Sequence, residues 1–151
     1  KPKTRNVAKF LGVRNIFSGR VVSADGTTVT IENPELGEVK ALVHPEERPF
    51  AAGEKITFGI RPEEIMVIRP DRPIDKKVQD NMLEGEVLTT LGKGASHTIY
   101  FKVKYRGATL KIEIPNFAYR KLKLHKEKII TISMKKESIW IIPAEKTGVR
   151  G

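Results

Sequence analysis

Asn15-Ile16-Phe17-Ser18-Gly19-Arg20-Val21 and Asn81-Met82-Leu83-Glu84-Gly85-Glu86-Val87 keep the same Asn, two apolar positions, Gly and Val. A second pair of segments follows in the same order, with Arg61-Pro62-Glu63-Glu64-Ile65 facing Lys135-Lys136-Glu137-Ser138-Ile139. The chain is therefore read as a duplicated unit, and the period of its apolar residues says that the unit is β. In the first copy Phe17 to Ser23 and Thr28 to Ile31 flank Ala24-Asp25-Gly26-Thr27, whose Asp-Gly pair predicts a hairpin turn. Val39, Ala41 and Val43 alternate, as do Ile56, Phe58 and Ile60, and Ile65 to Ile68 is expected to close this half. In the second copy Leu83 to Thr89, His97 to Tyr105 and the alternating Leu110, Ile112 and Ile114 are separated by Gly92-Lys93-Gly94 and Arg106-Gly107. Ile130, Ile132 and Met134, then Ile139 to Ile142, are expected to finish it.

Helical periodicity is scarce. Val7, Ala8, Phe10 and Leu11 fall on one helical face, with Gly12 placed to end a short N-terminal helix. Phe117 to Lys126 fits either a short basic helix or a further strand, and the helix is preferred. Residues 69–80 hold two prolines and alternating charges, the composition of a linker. A repeated short-strand unit with Gly at fixed places predicts an all-β fold of two tandem five-stranded barrels of the oligonucleotide/oligosaccharide-binding (OB) kind. The expected boundaries are 1–12 for a connecting helix, 13–72 and 83–143 for the two barrels, 73–82 for the linker and 144–151 for a tail.

Composition narrows the function. The 151 residues carry 28 Lys plus Arg against 18 Asp plus Glu, a formal charge of +10. Residues 1–75 contribute 12 basic and 11 acidic side chains, and residues 76–151 contribute 16 and 7, so the positive field belongs to the second half. Such a field draws anions without choosing among them. With no cysteine, disulfides, thiol catalysis and thiolate zinc sites are excluded, and a reducing compartment is compatible. No apolar run is long enough to span a bilayer, and the N-terminus lacks the layout of a signal peptide. The chain begins at Lys1 with no Met, as expected of a piece of something longer.

Enzymatic readings find little to stand on. His44, His97 and His125 are not paired at a metal-binding spacing. Gly92-Lys93-Gly94-Ala95-Ser96 lacks the spacing of a phosphate loop and is followed by a strand, so it reads as a hairpin turn. Glu46-Glu47 and Glu63-Glu64 are adjacent pairs, whose members a strand points to opposite faces. Nucleic-acid binding has more support, because alternation from His97 to Tyr105 groups Tyr100, Lys102 and Lys104 on one face, with Lys111 on the next strand. An exposed ring among lysines is how single-strand binders stack bases and neutralise phosphates. The competing reading is an ordinary hairpin kept soluble by lysine.

The segments VAKFLGVRNIFSGRV and GEKITFGIRPEEIMV, with the Gly-Ile-Arg-Pro-Glu block at Gly59 to Glu63, resemble the C-terminal accessory region of ABC-importer ATPases, the TOBE domain. Asn81 to Val87, ASHTIYFKV and KKESIWII resemble that region's second repeat. The resemblance implies a regulatory and dimerisation domain on the cytoplasmic side of an importer. Its partners would be the ATPase domain, a second copy of the subunit and the transporter permease. The chain itself would not be an enzyme and would hold no cofactor, because ATP and Mg belong to an upstream domain. It also implies a place to look for a small oxyanion. Molybdate-type domains carry Ser-x-Arg-Asn and Lys-Ala-Ser-Ser, where this chain has Val78-Gln79-Asp80-Asn81 and Lys135-Lys136-Glu137-Ser138. Asn81, Lys135 and Ser138 survive as ligand positions. Val78 cannot donate a hydrogen bond, and Asp80 and Glu137 bring negative charge towards a dianion. Lys128, Lys135 and Lys136 leave an anion site conceivable, while His97-Thr98-Ile99-Tyr100 and Ile114-Pro115-Asn116 look as much like sugar, polyamine or iron importers. Arg61, Glu63 and Trp140 are the expected subunit or regulatory contacts, with Trp140 also readable as core.

Overall fold

The computed structural model describes Phe10 and residues 12–44, 49–70 and 80–144. Ten strands form two five-stranded antiparallel sheets. The first runs β10(Trp140–Pro143), β4(Lys55–Gly59), β1(Ile16–Ala24), β2(Thr28–Asn33), β3(Gly37–Leu42). The second runs β5(Ile65–Val67), β9(Ile129–Met134), β6(Met82–Lys93), β7(Ser96–Val103), β8(Thr109–Pro115). The all-β, tandem OB-like expectation stands. One assignment is corrected: Ile65–Val67 does not close the first half but pairs with β9 of the second, and Trp140–Pro143 pairs with β4 of the first. Each half lends its last strand to the other, so neither 13–72 nor 83–143 contains a whole sheet. All of the expected helix over residues 1–12 except Phe10 and Gly12, and most of the 73–82 linker, lie outside the described residues.

Local chemistry accounts for the turns. The Asp25 side chain accepts from the Thr28 and Thr27 amides at 2.8 and 3.1 Å, and these bonds hold its carboxyl below the usual carboxylate range. Gly26 beside it adopts φ +97. The ambiguous basic segment contains α1(Asn116–Leu122), stopped by Lys123 in the left-handed conformation.

The duplication extends to backbone detail. β1 has a bulge after Val21 and β6 has one after Val87. The Val21 amide donates to Glu54 O and its carbonyl accepts from Gly53 N. The Val87 amide likewise donates to Lys128 O, and its carbonyl accepts from Glu127 N. Gly85 sits at a crowded crossing, where an added Cβ would collide with the Lys102 carbonyl and the Phe101 ring. The core is one cluster, with Val21, Ile31, Ile56 and Phe58 from the first sheet and Val87, Phe101, Leu110 and Ile132 from the second, all at most 1% exposed.

The left-handed position filled by Gly53 (φ 89) in the first copy is occupied by Glu127 (φ 73) in the second. A side chain there is strained, whereas glycine is not. Glu127→Gly is therefore expected to raise unfolding stability by roughly 0.5–1 kcal/mol. Gly85→Ala should lower it by about 3 kcal/mol. Urea denaturation followed by Trp140 fluorescence reads both.

Candidate functional site at the junction of the two copies

The repeated asparagines are the residues that join the halves. Asn15, only 4% exposed, donates from Nδ2 to Lys111 O and accepts at Oδ1 from Lys111 N, both at 2.8 Å. Asn81 does the same to the other sheet, donating to Lys40 O at 2.9 Å and accepting from Lys40 N at 2.8 Å. Lys40 lies in β3 and Lys111 in β8, the outermost strand of each sheet. A primary amide offers one donor and one acceptor in the arrangement of a peptide group, so each Asn supplies a ladder rung to an otherwise open edge. Asn81 also donates to Met134 O at 2.7 Å. It sits at φ 46, a conformation that Asn tolerates better than most side chains.

Two single-turn 3₁₀ helices, Pro62–Glu64 and Lys136–Ser138, stand at equivalent places in the two copies, and each packs on the other half's third strand, β8 or β3. The Ser138 hydroxyl donates to Glu64 Oε1 at 2.7 Å. Glu64 and Ser138 are equivalent positions, so this bond marks where the copies meet. Beside it, the Lys136 amide donates to Asp80 Oδ2 at 3.3 Å, and the Ser133 hydroxyl to Asp80 O at 2.7 Å.

The structure thus brings Asn81, Lys135 and Ser138 to one junction, but two of the three are engaged. The Asn81 amide is committed to backbone and the Ser138 hydroxyl to a carboxylate. Lys135 is the half-buried residue preceding the second 3₁₀ turn. Of the expected contact residues, Arg61 and Glu63 form an exposed pair at 4.0 Å on the first turn, a geometry that contributes little. Trp140 is half-buried on β10, its indole lying over Gly59, where a side chain would leave it no room. Sequence reading missed Asp80 and Glu64 as acceptors. Their signal was an acidic residue beside Asn81 and another facing Ser138 in the aligned copies.

The basic aromatic face is corrected. Tyr100 is 1% exposed and stacks on Phe10 with ring centroids 5.3 Å apart, so it presents no surface for a base. Burial, with the Glu113 charge adding to it, pushes its phenol above the usual range. β7 is covered on both faces, which strand alternation alone does not reveal: Thr98 and Tyr100 are buried on one, Ile99 and Phe101 on the other. Lys104, just past the end of this strand, is tied to Glu84 at 3.3 Å. The three histidines remain apart in role. His97 stacks on Tyr119 at 3.7 Å and bonds Asn116 Oδ1 at 2.7 Å, while His125 contacts the Lys126 carbonyl. Among the described residues no group of three acidic or histidine side chains could hold a metal ion, and no helix is long and apolar enough to cross a membrane.

No model of a known protein family matches the chain. It is 30% identical over 99 residues to a spermidine/putrescine import ATP-binding protein, PotA, of Clostridioides difficile, covering 66% of this chain and 24% of that protein. It is 31% identical over 115 residues to PotA of Pseudomonas aeruginosa, covering 76% and 30%. With the sn-glycerol-3-phosphate import ATP-binding protein UgpC of Pectobacterium atrosepticum it shares 29% identity over 127 residues, 79% of this chain and 34% of that one. The matches fall in these proteins' C-terminal regions. In sequence the chain is similar to the C-terminal, TOBE-type region of importer ATP-binding subunits. It spans about a quarter to a third of the length of these relatives. The solved structure of ModG, a cytoplasmic molybdate-binding protein with molybdate bound, superposes with a TM-score of 0.74, covering 87% of this chain and 96% of that one. At 16% identity this likeness speaks for the fold.

Asn15→Ala or Asn81→Ala removes both bonds to an edge peptide and leaves its groups unsatisfied, at about 2–4 kcal/mol each in urea denaturation. Asn81→Asp, which keeps the shape but turns a donor into an acceptor facing Lys40 O, should not restore stability. Glu113 gives a pH signature. Burial raises its carboxyl, but the Thr98 and Ser96 hydroxyls, at 3.0 Å each, with the Lys93 and Lys111 charges, outweigh that and hold it below the usual 4.5. A depressed folded value means that the stabilisation is present above the unfolded value and fades as pH falls through the folded one. Acid titration of stability below about pH 4.5 should therefore be shallower in Glu113→Gln than in the wild type.

Proposed function

We propose that this chain is the C-terminal regulatory and pairing domain of an importer's ATP-binding subunit, working at the cytoplasmic face of a membrane. It would hold together the ATPase domain, a second copy of the subunit and the permease, while ATP and Mg are handled by the ATPase domain. The observation that carries this reading is the alignment with the C-terminal regions of importer subunits over 66–79% of the chain. The tied junction supports it mechanically. Two sheets that exchange strands and clamp each other's edges form a stiff body, suited to relaying a displacement between partners rather than absorbing it.

The alternative of a transported-oxyanion sensor places its ligand at Asn81, Lys135 and Ser138. Weighing against it, Asp80 occupies the Lys136 amide and Glu64 the Ser138 hydroxyl, the kinds of donor a tetrahedral dianion would need. A dianion would have to displace two carboxylates and then sit beside them, at a Coulombic cost of about 1 kcal/mol or more for each close contact.

Replacing the matched C-terminal segment of the Clostridioides difficile relative with this chain should keep ATP-driven uptake in proteoliposomes above that of the subunit lacking the segment. Uptake no better than the truncated subunit would reject the importer reading. In calorimetric titration of the chain, tungstate and molybdate should bind no better than sulfate, phosphate or chloride. Selective micromolar tungstate binding, lost in Lys135→Ala, would instead make the junction an oxyanion sensor.

A further inference from the structure

The same outer position of each copy forms a groove, and the two grooves differ in charge. In the first copy the cross-strand row Lys55, Arg20, Glu32 runs over β4, β1 and β2. The equivalent row in the second copy is Ile129, Glu86, Lys102, over β9, β6 and β7. Duplicated scaffolding thus presents Lys and Arg where its twin presents Ile and Glu. The first groove is also the larger, about 710 Å³ against about 280 Å³, a size in the range of small-molecule sites.

A third cation reaches the first groove from the other half of the chain. Arg106, in the β7–β8 turn, lays its guanidinium across Gly37, with Nε 3.4 Å from where a Cβ would stand. Gly37, at φ +88 and with no side chain, makes the space. Among the described residues neither Lys55 nor Arg106 has an ion-pair partner, whereas Lys104 beside the second groove is neutralised by Glu84. Arg20 is steadied by donating from Nη1 to Gly53 O at 2.9 Å. Three cations and one carboxylate give the first groove a local charge of +2. Pro34 and Ile56 supply an apolar wall.

We propose that this groove binds a sugar or polyol phosphate. A phosphate monoester carries close to two negative charges at neutral pH, matching the groove's excess, and a guanidinium suits its oxygens in planar, bidentate fashion. A lone carboxylate ligand would leave one cation uncompensated. Glu32 has a role that a pure anion site would not give it, accepting hydrogen bonds from hydroxyls of the ligand's body as that body lies along Pro34 and Ile56. Because Arg106 comes from the second half and Arg20 and Lys55 from the first, an occupied groove ties the halves through its ligand, in addition to the asparagine clamps.

Calorimetric titration of the full chain with glucose 6-phosphate, glucose and inorganic phosphate tests this. Saturable binding of glucose 6-phosphate is expected, with glucose and inorganic phosphate each at least about tenfold weaker. Lys55→Ile, which installs the residue of the second copy, and Arg106→Ala should each weaken glucose 6-phosphate about tenfold at unchanged melting temperature. Lys102→Ala in the other groove should leave it unaltered. Absence of saturable binding, or affinity indifferent to both groove variants, overturns the proposal. Inorganic phosphate binding as tightly as the ester also overturns it, by reducing the groove to a site for a bare ion.

Discussion

Everything in this molecule depends on how two open sheet edges are closed. A strand at the rim of a sheet exposes a row of peptide groups that must find partners or remain wet and adhesive. Here β3 and β8 are rims, and each is met by a side-chain amide from the opposite copy: Asn81 on Lys40 and Asn15 on Lys111. No other common side chain can both give and take a hydrogen bond at a planar amide of that span except Gln, whose extra methylene would have to be ordered as well. The same residue therefore recurs in both copies. Its backbone carbonyl also accepts from the end of the neighbouring strand, Ile60 N just past β4 for Asn15 and Met134 N in β9 for Asn81.

The clamps fix the rest of the topology. With β3 and β8 held by the partner copy, the short 3₁₀ turns are set down on them. The chain leaving each turn is then delivered to the other half, where Ile65–Val67 and Trp140–Pro143 find their sheets. Folding is consequently a property of the whole chain. Each sheet lacks its fifth strand until the opposite half has arrived, and contacts of such large sequence separation must be made late and together. The rigidity of the junction follows from this reciprocity: loosening either copy releases an edge, a turn and a strand of both.

Much of this was legible in the residues. The duplicated Asn, Gly and Val positions announced the repeat, and alternation placed most strands to within a residue or two of where they stand. Those letters are constrained by backbone requirements, an amide clamp, a crowded crossing and a bulge, which a sequence must satisfy with particular residues. Strand exchange was not legible. Ile65–Val67 and Trp140–Pro143 are three and four residues long, and nothing in so short an apolar run says which of two similar sheets it joins. Tyr100 misled for a related reason. Period two divides a strand into two faces but does not tell whether the second is open to water, and here Phe10, distant in sequence, covers it. Asn81 and Ser138 were singled out, but as ligands. That their polar atoms are taken by Lys40, Met134 and Glu64 is a fact of tertiary structure alone.

The chain's excess of positive charge fits a role in recognition better than one in stability. Ion pairs such as Lys93 with Glu113 and Lys104 with Glu84 are substantially exposed, and such pairs contribute on the order of 1 kcal/mol at most. Like charges left over repel one another and work against the compact state. At the junction between the copies, Asp80 and Glu64 meet a backbone amide and a hydroxyl, so the donors there are answered from within. At the outer groove positive charge is left unanswered, and only in the copy whose twin has Glu86 and Ile129 in place of Arg20 and Lys55. A duplicated fold that satisfies the hydrogen-bonding groups of its symmetric centre and charges one of its two outer grooves has separated two tasks: the centre holds the halves in register, and the periphery is where they differ enough to select a ligand.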